Sequence, residues 1–158
     1  MPSKKLKQFL DKNKIEYITI THSEAFTAQQ VAANSHIPGK EMAKTVVVKL
    51  DDKLAMAVLP ASYQIDFGLL KKASGAKKAS LVPEADFRDQ FPDCELGAMP
   101  PFGNLYDMDV YSTESLAEDE EISFNAGSHT ELIRMSYKDF EKLVKPKAIQ
   151  FSQRERIE

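Results

Sequence analysis

The chain has 158 residues, of which 42% are hydrophobic and 28% charged. That is enough for one domain that buries roughly two thirds of its unfolded surface. A net charge of −3 argues against gripping nucleic acid by bulk electrostatics, because Lys and Arg normally supply that affinity. The single cysteine, Cys94, excludes an internal disulfide and has no metal-ligand spacing around it, so it reads as a small core hydrophobe. Apolar runs are too short for a membrane span, and the first residues form a charged amphipathic pattern with no apolar signal region. The expectation is a soluble cytoplasmic protein with no membrane contact.

In chain order, Ser3 is placed to cap a first helix with Leu6, Phe9 and Leu10 on one face, and Asn13 to stop it before a strand over residues 17–21. Thr27 caps a second short helix through Val31 to Ala33, which ends near His36-Ile37-Pro38-Gly39. Residues 45–50 and 53–59 flank Asp51-Asp52 and predict a hairpin, since they are rich in β-branched and apolar residues around a turn. Asp66 opens a helix with Phe67, Leu69 and Leu70, residues 79–82 resemble a short strand, and Pro83 starts a helix around residues 84–91.

Residues 97–103, Gly-Ala-Met-Pro-Pro-Phe-Gly, hold two of the 6 glycines and two of the 8 prolines. Adjacent prolines fix φ and remove two amide donors, while glycines permit a sharp turn or close approach to a ligand. The loop therefore reads as a rigid, exposed, ligand-facing wall, with a stiff connector between strands as the plainer alternative. Strands follow at residues 108–111, 121–124 and 132–135. Ser136 with Asp139 forms a cap-like pair for a helix over residues 137–144. From Lys145 the chain is charged and interrupted by proline, so residues 146–158 are expected as a loosely attached tail of a single domain spanning residues 1–158. The fold class is α+β: a compact domain with a central mixed, barrel-like sheet and peripheral helices.

Three segments join a turn or helix end to a strand and are candidates to meet in one cleft: residues 43–49 with Lys44, the 97–103 loop, and residues 125–132 with Gly127-Ser128-His129. The histidines, His22, His36 and His129, lack a ligand pattern with Cys or acid partners, so no metal and no cofactor is expected. Ser128 and His129 are sequence neighbours and do not face each other for proton transfer, which sets aside a serine hydrolase. Met56, Met99, Met108 and Met135 read as packing.

Taken together, His22, Thr27-Ala28, the Ala-Lys-Thr strand entrance at Lys44, a Gly-x-x-x-Pro loop from Gly97 to Pro101 and the Ala-Gly-Ser-His turn ending at His129 resemble the YbaK/prolyl-tRNA synthetase-associated domain family over nearly the whole chain. The resemblance implies an aminoacyl-tRNA deacylase that clears amino acids wrongly attached to tRNA. It implies catalytic roles for Lys44, Gly97, Ala98, Met99 and His129. Lys44 would hold the phosphate or ribose of the acceptor nucleotide, and the amides of residues 97–99 would meet the ester oxygen. His22, Thr27, Thr45, Pro100, Pro101, Gly127 and Ser128 would bind substrate. The implied partners are the tRNA 3′ acceptor end carrying an amino acid, with prolyl-tRNA synthetase or an elongation factor as a delivering protein, and no DNA. Alanine or cysteine on tRNA for proline is the first expectation for substrate, with serine or threonine on other tRNAs after it. The alternative is a non-catalytic aminoacyl- or nucleotide-binding module of the same fold. Lysines at positions 71, 72, 77 and 78 are expected to favour deacylation if they share a rim with Lys44 and the Gly97 loop, and binding without RNA if they lie on the opposite side.

Overall fold

The computed structural model describes residues 4–21, 42–95 and 97–154. The expected cap at Ser3, the second helix from Thr27, and His22 and His36 lie outside the described residues. Helix α1 (Lys4–Lys12) buries Leu6 and Leu10, the spacing of one helical face, and the chain turns into strand β1 (Tyr17–Thr21). The hairpin forms as the sequence predicts, from β2 (Ala43–Leu50) and β3 (Lys53–Pro60), with continuous antiparallel register from Ala43 opposite Pro60 to Leu50 opposite Lys53. Strand β4 (Tyr63–Ile65), which no local pattern announces, leads to α2 (Phe67–Ser74). Asp66 caps α2 by accepting the amide of Leu69 at 3.0 Å, and Gly75 ends it with φ of 78°, donating its amide to Lys71.

Strand β5 (Ala79–Leu81) precedes α3 (Glu84–Phe87), which is shorter than expected because the chain tightens into a 3₁₀ turn at Arg88–Gln90. Strands β6 (Asp109–Thr113), β7 (Glu121–Ser128) and β8 (Glu131–Ser136) follow, then α4 (Tyr137–Val144). Ser136 stands at the N-cap of α4, but its side chain makes no capping hydrogen bond, so that part of the cap-like pair is not realised. The tail also differs from expectation. Strand β9 (Lys147–Ile149) pairs in parallel with β6, β10 (Ser152–Arg154) pairs with β4, and Phe151 between them is fully buried. One aromatic ring and two short ladders fasten a segment whose local composition looks like solvent-exposed chain.

The main sheet has the order β5-β2-β3-β6-β9 and is mixed: the β5, β2 and β3 pairings are antiparallel, and β3-β6 and β6-β9 parallel. A second antiparallel sheet, β1-β8-β7, joins it where Met42 bridges Ser123 beside the start of β2. The expected α+β fold with a central mixed sheet is thus present, with the sheet open rather than closed. Two apolar clusters flank β2 and β3 by strand alternation. Ala43, Val47, Met56 and Val58 face a larger cluster built around Phe102, Phe124 and Phe140, and Val48, Leu50, Ala57 and Leu59 face a smaller one closed by Leu70 of α2 and Phe151.

Candidate active site

The 97–103 loop is not an exposed wall. Gly97 is exposed, but Ala98, Met99, Pro100, Pro101, Phe102 and Gly103 are all buried. Phe102 lies at the centre of the large cluster, its ring 5.5 Å from that of Phe124, 5.7 Å from Phe140 and 6.2 Å from Phe9. The sequence pattern conceals this because glycine and proline signal turns, not depth. The tertiary fold drives the apolar half of the loop inward, since burying a phenylalanine is worth roughly 1.5–3 kcal/mol.

The first half of the loop meets the end of β7. The β7-β8 register slips between Asn125 and Ser128, so three steps along β7 match one along β8. That irregularity turns the Gly127 backbone away from β8 and toward the loop. Gly127, at φ of 90°, donates its amide to the Ala98 carbonyl at 2.8 Å and accepts the Glu95 amide at 2.8 Å. Two of the three candidate segments are therefore joined directly by backbone hydrogen bonds. The third, the start of β2, runs beside β7 through the Met42–Ser123 bridge, two residues before Lys44. Lys44 and Thr45 are half-buried, on opposite faces of β2 by alternation.

Gly97 has φ of 83°, a conformation that strains any residue with a Cβ, and a Cβ placed there would stand 3.5 Å from His129 Cε1. The imidazole edge thus lies in van der Waals reach of the turn. His129 is buried, with only 7% of its surface exposed. Its backbone amide donates to Glu95 Oε2 at 3.3 Å, and the same oxygen is 4.0 Å from His129 Nε2. Glu95 is the residue of this turn that sequence reading missed. A single exposed glutamate in a loop carries no local signal, and only the turn from Glu95 to Ala98 sets its carboxylate against the histidine.

Other side chains settle more narrowly. The Ala98 amide donates to the Glu95 carbonyl at 3.1 Å and closes the turn. The amides of Gly97 and Met99 donate to no protein acceptor among the described residues. Ser128 Oγ lies 3.0 Å from Thr130 Oγ1 and accepts the Thr130 amide at 3.1 Å, so it is engaged in a local turn rather than with His129. Ser123 Oγ and Asn125 Oδ1 are buried on β7 without hydrogen-bond partners. Leaving such a group unsatisfied costs about 1–3 kcal/mol. Pro100 and Pro101 are buried behind Met99 instead of bordering solvent. His22 and Thr27 lie outside the described residues. Among the described residues no three His, Cys, Asp or Glu side chains converge as metal ligands.

Cys94 adjoins this turn. Its thiol is within 3.3 Å of the Tyr106 hydroxyl, which itself donates to Asp93 at 3.1 Å. Burial pushes the thiol pKa up to about 11. It pushes the Tyr106 hydroxyl upward too, with the contact to Cys94 adding to the effect. Both stay protonated at neutral pH, which fits a packing role for Cys94.

The profile of the aminoacyl-tRNA editing domain family matches residues 22–143. The chain belongs to this family. Family membership brings the reaction class with it, that of an enzyme that edits aminoacyl-tRNA by deacylation. Among related proteins, the chain is 26% identical over 141 residues to the multifunctional Ser/Thr-tRNA deacylase ProXp-y of Escherichia coli K12, covering 86% of this chain and 84% of that one. It is 22% identical over 89 residues to a proline--tRNA ligase of Bacillus cereus AH187, where the match is 56% of this chain and 16% of the ligase. Among solved structures, a candidate trans-editing enzyme for prolyl tRNA synthetase superposes with a TM-score of 0.81 at 16% identity, covering 96% of each chain. The hypothetical protein APE2540 superposes with a TM-score of 0.85 at 14% identity, covering 95% of this chain and all of that one. These likenesses establish the fold. No described helix is long and apolar enough to cross a membrane.

Proposed function

We propose that this editing domain hydrolyses the ester of a small amino acid attached to the wrong tRNA, acting in trans. The observation that carries the reading is the docking of the 95–98 turn on Gly127, which puts a glycine backbone against a buried imidazole beside the start of β2. A synthetase pocket discriminates poorly between small side chains, so a second site that admits the wrong one restores fidelity. The ester is already activated and needs little machinery. In this reading the Gly97 and Met99 amides donate to the oxygen on which charge develops, worth several kcal/mol. His129 orients the attacking water or a ribose hydroxyl, held in place by Glu95 and Gly127. Lys44 offers its ammonium to the phosphate or ribose of the terminal nucleotide. Thr45 and Ser128 belong to the substrate-binding surroundings.

For the amino acid, alanine or cysteine on tRNA for proline is the first reading. The name of the Escherichia coli relative brings serine and threonine to equal standing. The polar atoms Ser123 Oγ and Asn125 Oδ1 would suit a side-chain hydroxyl. Release of labelled amino acid from tRNAs carrying alanine, cysteine, serine, threonine or proline decides this. Turnover of one mismatched species, unchanged by EDTA, is expected; failure on all of them, with prolyl-tRNA synthetase added, would leave a binding module without hydrolysis.

A further inference from the structure

The lysines at positions 71, 72, 77 and 78 stand toward the Leu50 end of β2, along the strand from Lys44. Lys71 and Lys72 end α2, Lys77 and Lys78 lead into β5, and Lys49 and Lys53 flank the β2-β3 turn. Asp51 gathers them: its Oδ1 accepts the amides of Lys77 at 2.9 Å and Lys78 at 3.0 Å, and its own amide donates to the Lys78 carbonyl at 3.0 Å. All six lysines are exposed, and none forms an ion pair among the described residues. Acids stand among them: Asp51, whose Oδ1 accepts two amides, its neighbour Asp52, and Asp107 and Asp109, which line a cavity beside Lys53. Helix-dipole stabilisation accounts for Lys71 and Lys72 at the last turn of α2, but not for the other four. In a chain of net charge −3, this is a segregated positive surface.

We infer that this surface binds the phosphate backbone of the tRNA acceptor stem, and the inference rests on the function proposed above. Lys44 and Leu50 are six residues apart on β2, about 20 Å at the rise of a strand. Both project to the α2 face of the sheet by alternation, since Val46, Val48 and Leu50 pack in the cluster beneath α2. Twenty ångströms is about six phosphate steps along one strand of a duplex. An aminoacyl end held at Lys44 would therefore bring the first paired stretch of the stem over the lysines. The overall negative charge repels RNA elsewhere, so the patch orients the substrate as well as holding it.

The test compares wild type with Lys71→Ala, Lys72→Ala, Lys77→Ala and Lys78→Ala combined, and with the four changed to Arg. Binding of uncharged tRNA is measured across salt concentrations, beside hydrolysis of an aminoacyl-adenosine ester and of full aminoacyl-tRNA. The alanine variant should bind tRNA about 100-fold more weakly and lose about 3–4 from its log-log salt slope. It should keep hydrolysis of the small ester and an unchanged melting temperature, and the arginine variant should retain tRNA binding. Unchanged tRNA affinity and slope would overturn the inference, as would binding to phosphatidylserine vesicles lost in place of RNA binding. If wild type hydrolyses neither ester, the proposed function falls, while the tRNA-binding comparison still decides the patch.

Discussion

Two glycines bound the same loop and are there for opposite reasons. Gly97 is exposed at φ of 83°, with open space except toward His129. Gly103 is buried, and a Cβ there would come within 2.4 Å of the Met108 carbonyl oxygen and 2.6 Å of Val110 Cγ2. The first serves backbone conformation beside the His129 imidazole, the second serves packing density. Between them the chain passes from site to core within six residues, so a substitution in one half should report on chemistry and in the other on stability.

The largest effect expected is on the core side. Phe102→Ala should cost about 3–5 kcal/mol in urea unfolding, because it empties the centre of an aromatic cluster. A loss below about 1 kcal/mol would show the cluster collapsing around the gap and would blur the division.

The glycine pair tests it most directly. Gly103→Ala should destabilise by roughly 2–3 kcal/mol, since the obstructing atom is backbone and cannot swing away. Gly97→Val should instead lower kcat/KM for the edited ester by about 100-fold with a smaller loss of stability, from strain at positive φ and crowding of His129. Normal turnover by Gly97→Val would remove the turn from the site.

Lys44→Ala sharpens the site side, with an expected 10–100-fold drop in kcat/KM, the size of one charge-assisted hydrogen bond, and little change in melting temperature. Retained activity would discard the phosphate anchor.

Glu95→Gln keeps the size of the side chain and removes its charge. We expect a 3–10-fold lower kcat with little change in melting temperature, because the Glu95 carboxylate accepts the His129 backbone amide at 3.3 Å and lies 4.0 Å from its Nε2. An unchanged kcat would remove Glu95 from the site.

The smallest effect concerns Cys94. With its pKa raised by burial to about 11 in the fold, against 9.0 for an ordinary thiol, the unfolded chain releases this proton first. Its contribution to stability is therefore complete below pH 9 and declines as pH rises through 11. Labelling by a thiol reagent at pH 7.5 should be much slower than for the urea-unfolded chain. Equal rates would contradict the burial.

Local chemistry made much of this molecule readable. The β2-β3 hairpin follows from β-branched runs around Asp51-Asp52, α2 from Asp66 at its cap, and the Gly127-Ser128-His129 turn and Lys44 from motifs that resemble those of the family. Those signals are short-range, so a sequence contains them whole. What only the tertiary structure decided depends on partners distant in the chain: the burial of Pro100 to Gly103, the slipped register that aims Gly127 at Ala98, the pairing of Glu95 with His129, and the fastening of residues 147–154 by Phe151. A three-residue strand such as β9 has no periodicity of its own to detect, and its stability comes from the neighbour it pairs with. The sequence groups Lys71, Lys72, Lys77 and Lys78 but does not say where that group stands. The hydrogen bonds of Asp51 to a segment 26 residues away separated them from Lys44 and gathered them at the far end of β2.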